Sequence, residues 1–475
     1  MSDRESLIEG VPLHHVDRDL RRAVQRLGRA RAALARGEAD AVWSPLDTHR
    51  GVSSRSSFET LAPPAPIERP GEALGLTPGE APAPIVVDDP LRVALREWIA
   101  ALTLERVLWA DRARLSITLR DASVAIDQTD VGRILLSPHE LRRRVLAEPD
   151  RGLRGVFANA LARGAGAVAD AARIQAERRA EAARRLPIDL DALEIPCEEA
   201  SALPALATDL LRRSEPMLRP AGEGWHDGLA ASLARSSAEG WPSRLSSRWI
   251  EELFHPTRLT EGLRLSLGDL PAALGASSFA RALSAFGASL AEEAAPRDLP
   301  FAIAHRPFDL RRARRAALFG ALVADPVWNR HALGLGRDRA RAQARDVARA
   351  LLRSLRLDAA RVHLRGALIE PERTRAQRFE ERSAEALFGA PIPPSLAGVL
   401  PAITPEDPLR FLGVLLAAGD RRRLIEAFDE DWFKSPHAAA ALRDEDSTVG
   451  FGARATAAEA EAGLAELCRV LGELG

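Results

Sequence analysis

The sequence predicts a mainly α protein: a multi-helix globular body with one small β-hairpin or minor sheet. Three observations carry that prediction. Apolar residues recur at helical spacing, prolines and acids stand where helices begin, and alternating apolar runs are few and short. The 475 residues and 46% hydrophobic content are ample for cores of two or three domains.

Element by element, Leu20, Val24, Leu27, Ala30 and Leu34 fall on one helical stripe between Asp17 and about Arg36. Residues 1–43 therefore read as an amphipathic helical arm. Eleven of the 34 residues from Gly51 to Pro84 are Pro or Gly, a density that defeats helix and strand ladders, so 44–88 reads as an extended linker. Asp89-Pro90 offers an N-cap with proline in the first turn, and Leu91, Leu95, Trp98, Leu102 and Trp109 continue at helical spacing. Leu115, Ile117 and Leu119 alternate with polar residues, and Val124 and Ile126 repeat the alternation, which predicts a hairpin. A second, weaker alternation at Leu263, Leu265 and Leu267 is expected to pair with Phe301 and Ile303. Pro138 to Arg185 reads as two or three helices, opened by a capping box at Ser137 and Glu140. Prolines between Arg185 and Gly224 suggest a seam, giving helical subdomains at 89–200 and 201–475. Phe279, Leu283, Phe286 and Leu290 mark a helix whose neighbouring face, Ala280, Ser284, Gly287 and Ala291, permits close helix approach. Further helices are expected from about Arg337 to Leu368 and from Pro408, Asp420 and Thr456.

Composition excludes several functions. The 66 basic and 67 acidic residues nearly cancel, so no global field draws the chain to nucleic acid or an anionic membrane. The wealth of Ala and Arg fits the codon bias of a GC-rich bacterial genome. No run of apolar residues is long enough for a signal peptide or a membrane span, and the two cysteines, Cys197 and Cys468, make no framework, so a reducing cytoplasm is expected. Lys434 is the only lysine and there is no tyrosine, which removes the Gly-Lys-Ser/Thr phosphate loop, kinase-type lysines and Tyr nucleophiles. No cofactor is implied: Gly450-Phe-Gly452 lacks the preceding strand of a dinucleotide fingerprint, and Thr456 to Glu459 explains it as a loop ending in a capping box.

Candidate sites are three. Trp225, Trp241, Arg244, Arg248 and Trp249 have the composition of a binding hot spot, against the plainer reading that the tryptophans fill core. Arg341, Arg345, Arg349 and Arg353 form an i, i+4 stripe, and 15 arginines against 6 acids between Phe301 and Glu370 leave a local excess of +9. Asp429, Glu430, Asp431, Asp444, Glu445 and Asp446 are available to neutralise it internally. Finally, Glu223-Gly-Trp-His226 and Glu252-Leu-Phe-His255 would make a carboxylate-bridged di-metal centre if both pairs were helical and facing. His139-Glu140-x-x-Arg143 puts arginine where a zincin needs its second histidine.

Exclusion and surface chemistry together favour a non-enzymatic binding or scaffold protein with a protein partner or a second copy. The alternatives are a hydrolase around His226, Asp227, Glu252 and His255, metal-dependent or degenerate metallopeptidase-like, and nucleic-acid binding through the arginine-rich region.

Overall fold

The computed structural model describes residues 8, 10–38, 43–61, 89–128, 132–235, 239–261, 275–448 and 452–474. It is 72% helical, with 19 α-helices and one two-stranded antiparallel sheet among the described residues. Mainly α is therefore the fold class. No helix among them is long and apolar enough to cross a membrane.

Contacts divide the chain into two compact units, one formed by 1–110 with 297–307 and the other by 111–296 with 308–475. In the smaller unit the helix Leu13–Arg36 buries Val16, Leu20, Ala23, Leu27 and Leu34. Asp17, on the same helix, accepts the free amides of Phe301 and Ala302 at 2.9 and 2.7 Å. That carboxylate caps the short helix Phe301–Ala304 from far away in sequence. Phe301 and Ile303 are thus helical, which corrects the expected strand; three apolar residues at period two are too few to fix a period. Their expected partners, Leu263, Leu265 and Leu267, lie outside the described residues. Most of the predicted linker, 62–88, lies outside them as well, whereas Arg55–Thr60 inside it is a helix capped by Ser54.

Asp89 caps the helix Pro90–Asp121, accepting from the Leu91 amide at 3.0 Å. This helix runs through the residues predicted as the first hairpin strand. Leu115 and Leu119, four apart, pack on the core while Ile117 is exposed, so the alternation satisfied a helical stripe equally well. The hairpin forms one strand later, as β1 (Val124–Gln128) and β2 (Gly132–Leu136), with Ile126 opposite Ile134. In Pro138–Ala147 the Ser137 hydroxyl accepts the Glu140 amide at 3.2 Å, and Glu140 turns to Arg144 at 3.0 Å. The capping box at Thr456 and Glu459 is reciprocal, at 3.2 and 2.9 Å.

The larger unit has two apolar clusters. One gathers the hairpin, Arg151–Gly164 and Ala202–Ser214; the other gathers Ser247–Phe254 and Ala276–Glu293. Arg337–Leu364 and Asp407–Phe428 supply residues to both. Asp407–Phe428 runs unbroken through Asp420, where a separate helix was expected, since nothing between Pro408 and Phe428 breaks a helix.

Close backbone approach orders these helices. A methyl group at Gly287 would stand 2.2 Å from the Arg315 carbonyl oxygen of Leu310–Gly320. One at Gly413 would meet Ala313 at 2.8 Å, and one at Gly463 of Ala457–Leu474 would meet the Leu415 carbonyl at 2.1 Å. Glycine at each crossing lets four helices stack in succession.

Candidate functional site

The arginine-rich segment splits into two chemistries. On Leu310–Gly320 the guanidiniums of Arg311, Arg314 and Arg315 turn inward, while Arg312 is exposed. Buried Arg315 donates to Asp446 at 2.9 Å and to Glu445 at 2.8 Å, Arg314 grips Asp420 at 3.1 Å, and Arg311 pairs with Asp309 at 3.0 Å. Arg312 reaches Glu292 at 3.4 Å. Burial opposes ionisation of Glu445, but the Arg315 and Arg423 guanidiniums outweigh it and hold that carboxyl below its usual range. For Asp446 burial wins and pushes the carboxyl up despite Arg315. The expected internal neutralisation by Glu445 and Asp446 is what the geometry shows here.

The stripe on Arg337–Leu364 is less uniform. Arg353 donates to the Arg219 carbonyl at 2.9 Å and lies 6.0 Å from the Phe388 ring; burial, then the charge of Arg349, pushes its pKa down. Arg349 stands 3.8 Å from Asp346, both well exposed. Arg345 is exposed. Arg341 lines a cleft.

That cleft has a volume of about 390 Å³ and lies between Pro326–Ala332, the first two turns of Arg337–Leu364, Asp407–Phe428 and Ala457–Leu474. Two of its arginines are held: Arg421 by Asp325 at 2.7 Å, and Arg469 by Glu466 at 2.5 Å and by Glu473. Three others, Arg330, Arg337 and Arg341, are exposed, and their side chains have no hydrogen bond or ion pair among the described residues. Pro326, Val327 and Ile425 supply an apolar wall, and Glu430 lies on the rim.

Arg337 is the first residue of its helix, where the backbone carries partial positive charge, and Gly336 before it gives no side-chain cap. A cation there works against the helix dipole. Asp338 in the first turn already gives the helix end a negative charge, and an anion seated among the three guanidiniums would satisfy them. Sequence spacing found Arg341 and missed Arg330 and Arg337. The available signal was arginine at the wrong end of a helix, just after Gly334-Leu-Gly336.

The tryptophan region does not form one surface. Trp225 is buried in the first cluster. Trp241 and Trp249 belong to the second, with Trp241 4.3 Å from Phe279 and 5.6 Å from Trp328, ring centre to ring centre. Arg248 is spent on Glu252 at 2.7 Å, while Arg244 is exposed and has no partner among the described residues.

The two Glu-x-x-His pairs are not assembled into a metal centre. Among the described residues no three His, Cys, Asp or Glu side chains come together to hold an ion. Glu223 precedes the helix Trp225–Ala231, so the first pair is not helical, and His255 follows the end of Ser247–Phe254. His226 Nδ1 lies 3.5 Å from Asp227, which Arg154 grips at 3.1 Å. The Gly224 backbone lies against the other ring nitrogen, so close that a Cβ there would stand 2.4 Å away. Burial pushes the imidazole pKa down, with Asp227 opposing.

Comparison with models of known protein families and with curated proteins gives no match.

Proposed function

We propose that this protein is a non-enzymatic helical binding protein that holds a partner protein through carboxylates seated in the arginine cleft. The observation that supports this reading is the trio Arg330, Arg337 and Arg341, whose side chains line one concave space and have no hydrogen bond or ion pair among the described residues. The arginine fork matches a carboxylate in two parallel hydrogen bonds, and a concave, partly apolar setting strengthens the pairing. A polyanion track along the whole region is less well supported, because the Leu310–Gly320 arginines are already neutralised.

The test is fluorescence anisotropy of labelled octaglutamate at low ionic strength, with wild type and with Arg330→Glu/Arg337→Glu/Arg341→Glu. Saturable, salt-sensitive binding that weakens about tenfold or more in the variant is expected, each tenfold being about 1.4 kcal/mol. Absence of binding, or equal binding by a variant of unchanged thermal stability, overturns the reading. A glutamine triple variant repeats the comparison if charge reversal disturbs folding.

A further inference from the structure

We infer that the cleft recognises the C-terminal end of a partner chain, an apolar last residue preceded by an acidic one. This rests on the binding reading above and narrows it. The cleft volume, about 390 Å³, is in the range of small-ligand pockets, roughly 300–1,000 Å³. That space takes a short stretch of extended chain and not a folded surface.

Three partner-free guanidiniums stand beside an apolar wall of Pro326, Val327 and Ile425. A run of internal glutamates offers charge but nothing for that wall. A chain end offers both within two residues: the terminal carboxylate and the preceding side-chain carboxylate for the arginines, and the last side chain for Val327 and Ile425. Capture of a terminal carboxylate by converging donors is a recurrent mode of peptide recognition.

Glu430 is exposed and has no partner among the described residues. Its carboxylate repels further acids of an entering chain and accepts a backbone N–H, which favours one orientation. Arg421 and Arg469 are already held by Asp325 and by Glu466 and Glu473, which leaves Arg330, Arg337 and Arg341 for the entering carboxylates.

The test uses the full chain and three N-terminally labelled peptides read by anisotropy. One ends in Glu-Glu-Leu with a free carboxylate; the second is its C-terminal amide with one added upstream glutamate to match charge; the third ends in Glu-Glu-Gly. The free acid is expected to bind about tenfold tighter than the charge-matched amide, as for loss of one strong charged contact. Arg337→Gln/Arg341→Gln should erase that difference, and Ile425→Ala should erase the preference for leucine over glycine while leaving the acid-over-amide preference. Equal affinity of acid and amide overturns the inference and leaves the acidic-partner reading standing. Failure of all three peptides and of octaglutamate overturns both.

Discussion

Two stretches of the larger unit carry arginine at similar density. On Leu310–Gly320, Asp420, Glu445 and Asp446 are brought opposite the guanidiniums, and the charges become part of the interior. At Arg330, Arg337 and Arg341 no acid pairs with the guanidiniums, since Asp325 and Glu473 of the same cleft are taken by Arg421 and Arg469 and Glu430 stands apart, and the charges stay exposed. A buried cation without a partner costs several kcal/mol, so burial and pairing go together, whereas an exposed cation persists unpaired at little cost. Local charge excess in a sequence therefore says little about function until the acids opposite are located.

The contrast can be broken first from its buried side. Asp420 is buried beside Arg314 and Arg315, so Asp420→Ala leaves Arg314 without its carboxylate, while Arg315 keeps Asp446 and Glu445, and is expected to cost about 3 kcal/mol. Urea unfolding measures this, and a loss below about 1 kcal/mol, the size of an exposed pair, would erase the distinction between the two stretches.

Acid should act next. Burial pushes the pKa values of His49, His139, His226, His331 and His363 down from the usual 6.5. The folded state keeps these rings neutral while the unfolded chain takes up protons, so stability falls as pH drops below 6.5. Glu445, held low, adds stability above its unfolded value of 4.5 that is lost as pH falls through its folded value. Asp446, held high, has the opposite sign and its contribution falls as pH rises. The melting temperature should thus begin to drop as pH falls below 6.5, and His226→Gln/His363→Gln should flatten that limb. A limb unchanged in the double variant refutes the assignment.

The smallest effect separates the two stretches most sharply. Arg337→Glu replaces a cation by an anion at a helix N-terminus and is expected to raise stability by about 0.3–1 kcal/mol while weakening acidic-peptide binding. Opposite signs in the two measurements mark a residue kept for binding. A loss of stability would show instead that Arg337 serves the fold.

Helix starts were legible because capping is local: Asp89, Ser137 and Thr456 each meet an amide within three residues. The close approach expected on the face of Gly287 was legible too, since a missing side chain leaves a mark in sequence. The hairpin was displaced because Leu115 and Leu119 satisfy both periods, and the apolar run at Ile134 to Leu136 satisfies neither. Of the cleft, only Arg341 was found. Arg330 lies on a different helix, and its approach to Arg337 and Arg341 depends on the Gly334-Leu-Gly336 turn between the two helices.

What the sequence by itself determined was the helical class and the exclusion of a Gly-Lys-Ser/Thr phosphate loop and of tyrosine nucleophiles, because both depend on composition, spacing and caps that act within a few residues. The tertiary structure alone decided which arginines are neutralised, that Trp225 parts from Trp241 and Trp249, and that the two Glu-x-x-His pairs do not assemble. Ion pairs and clusters form between residues more than a hundred positions apart, as Arg315 does with Asp446, and short-range rules contain no term for what lies opposite.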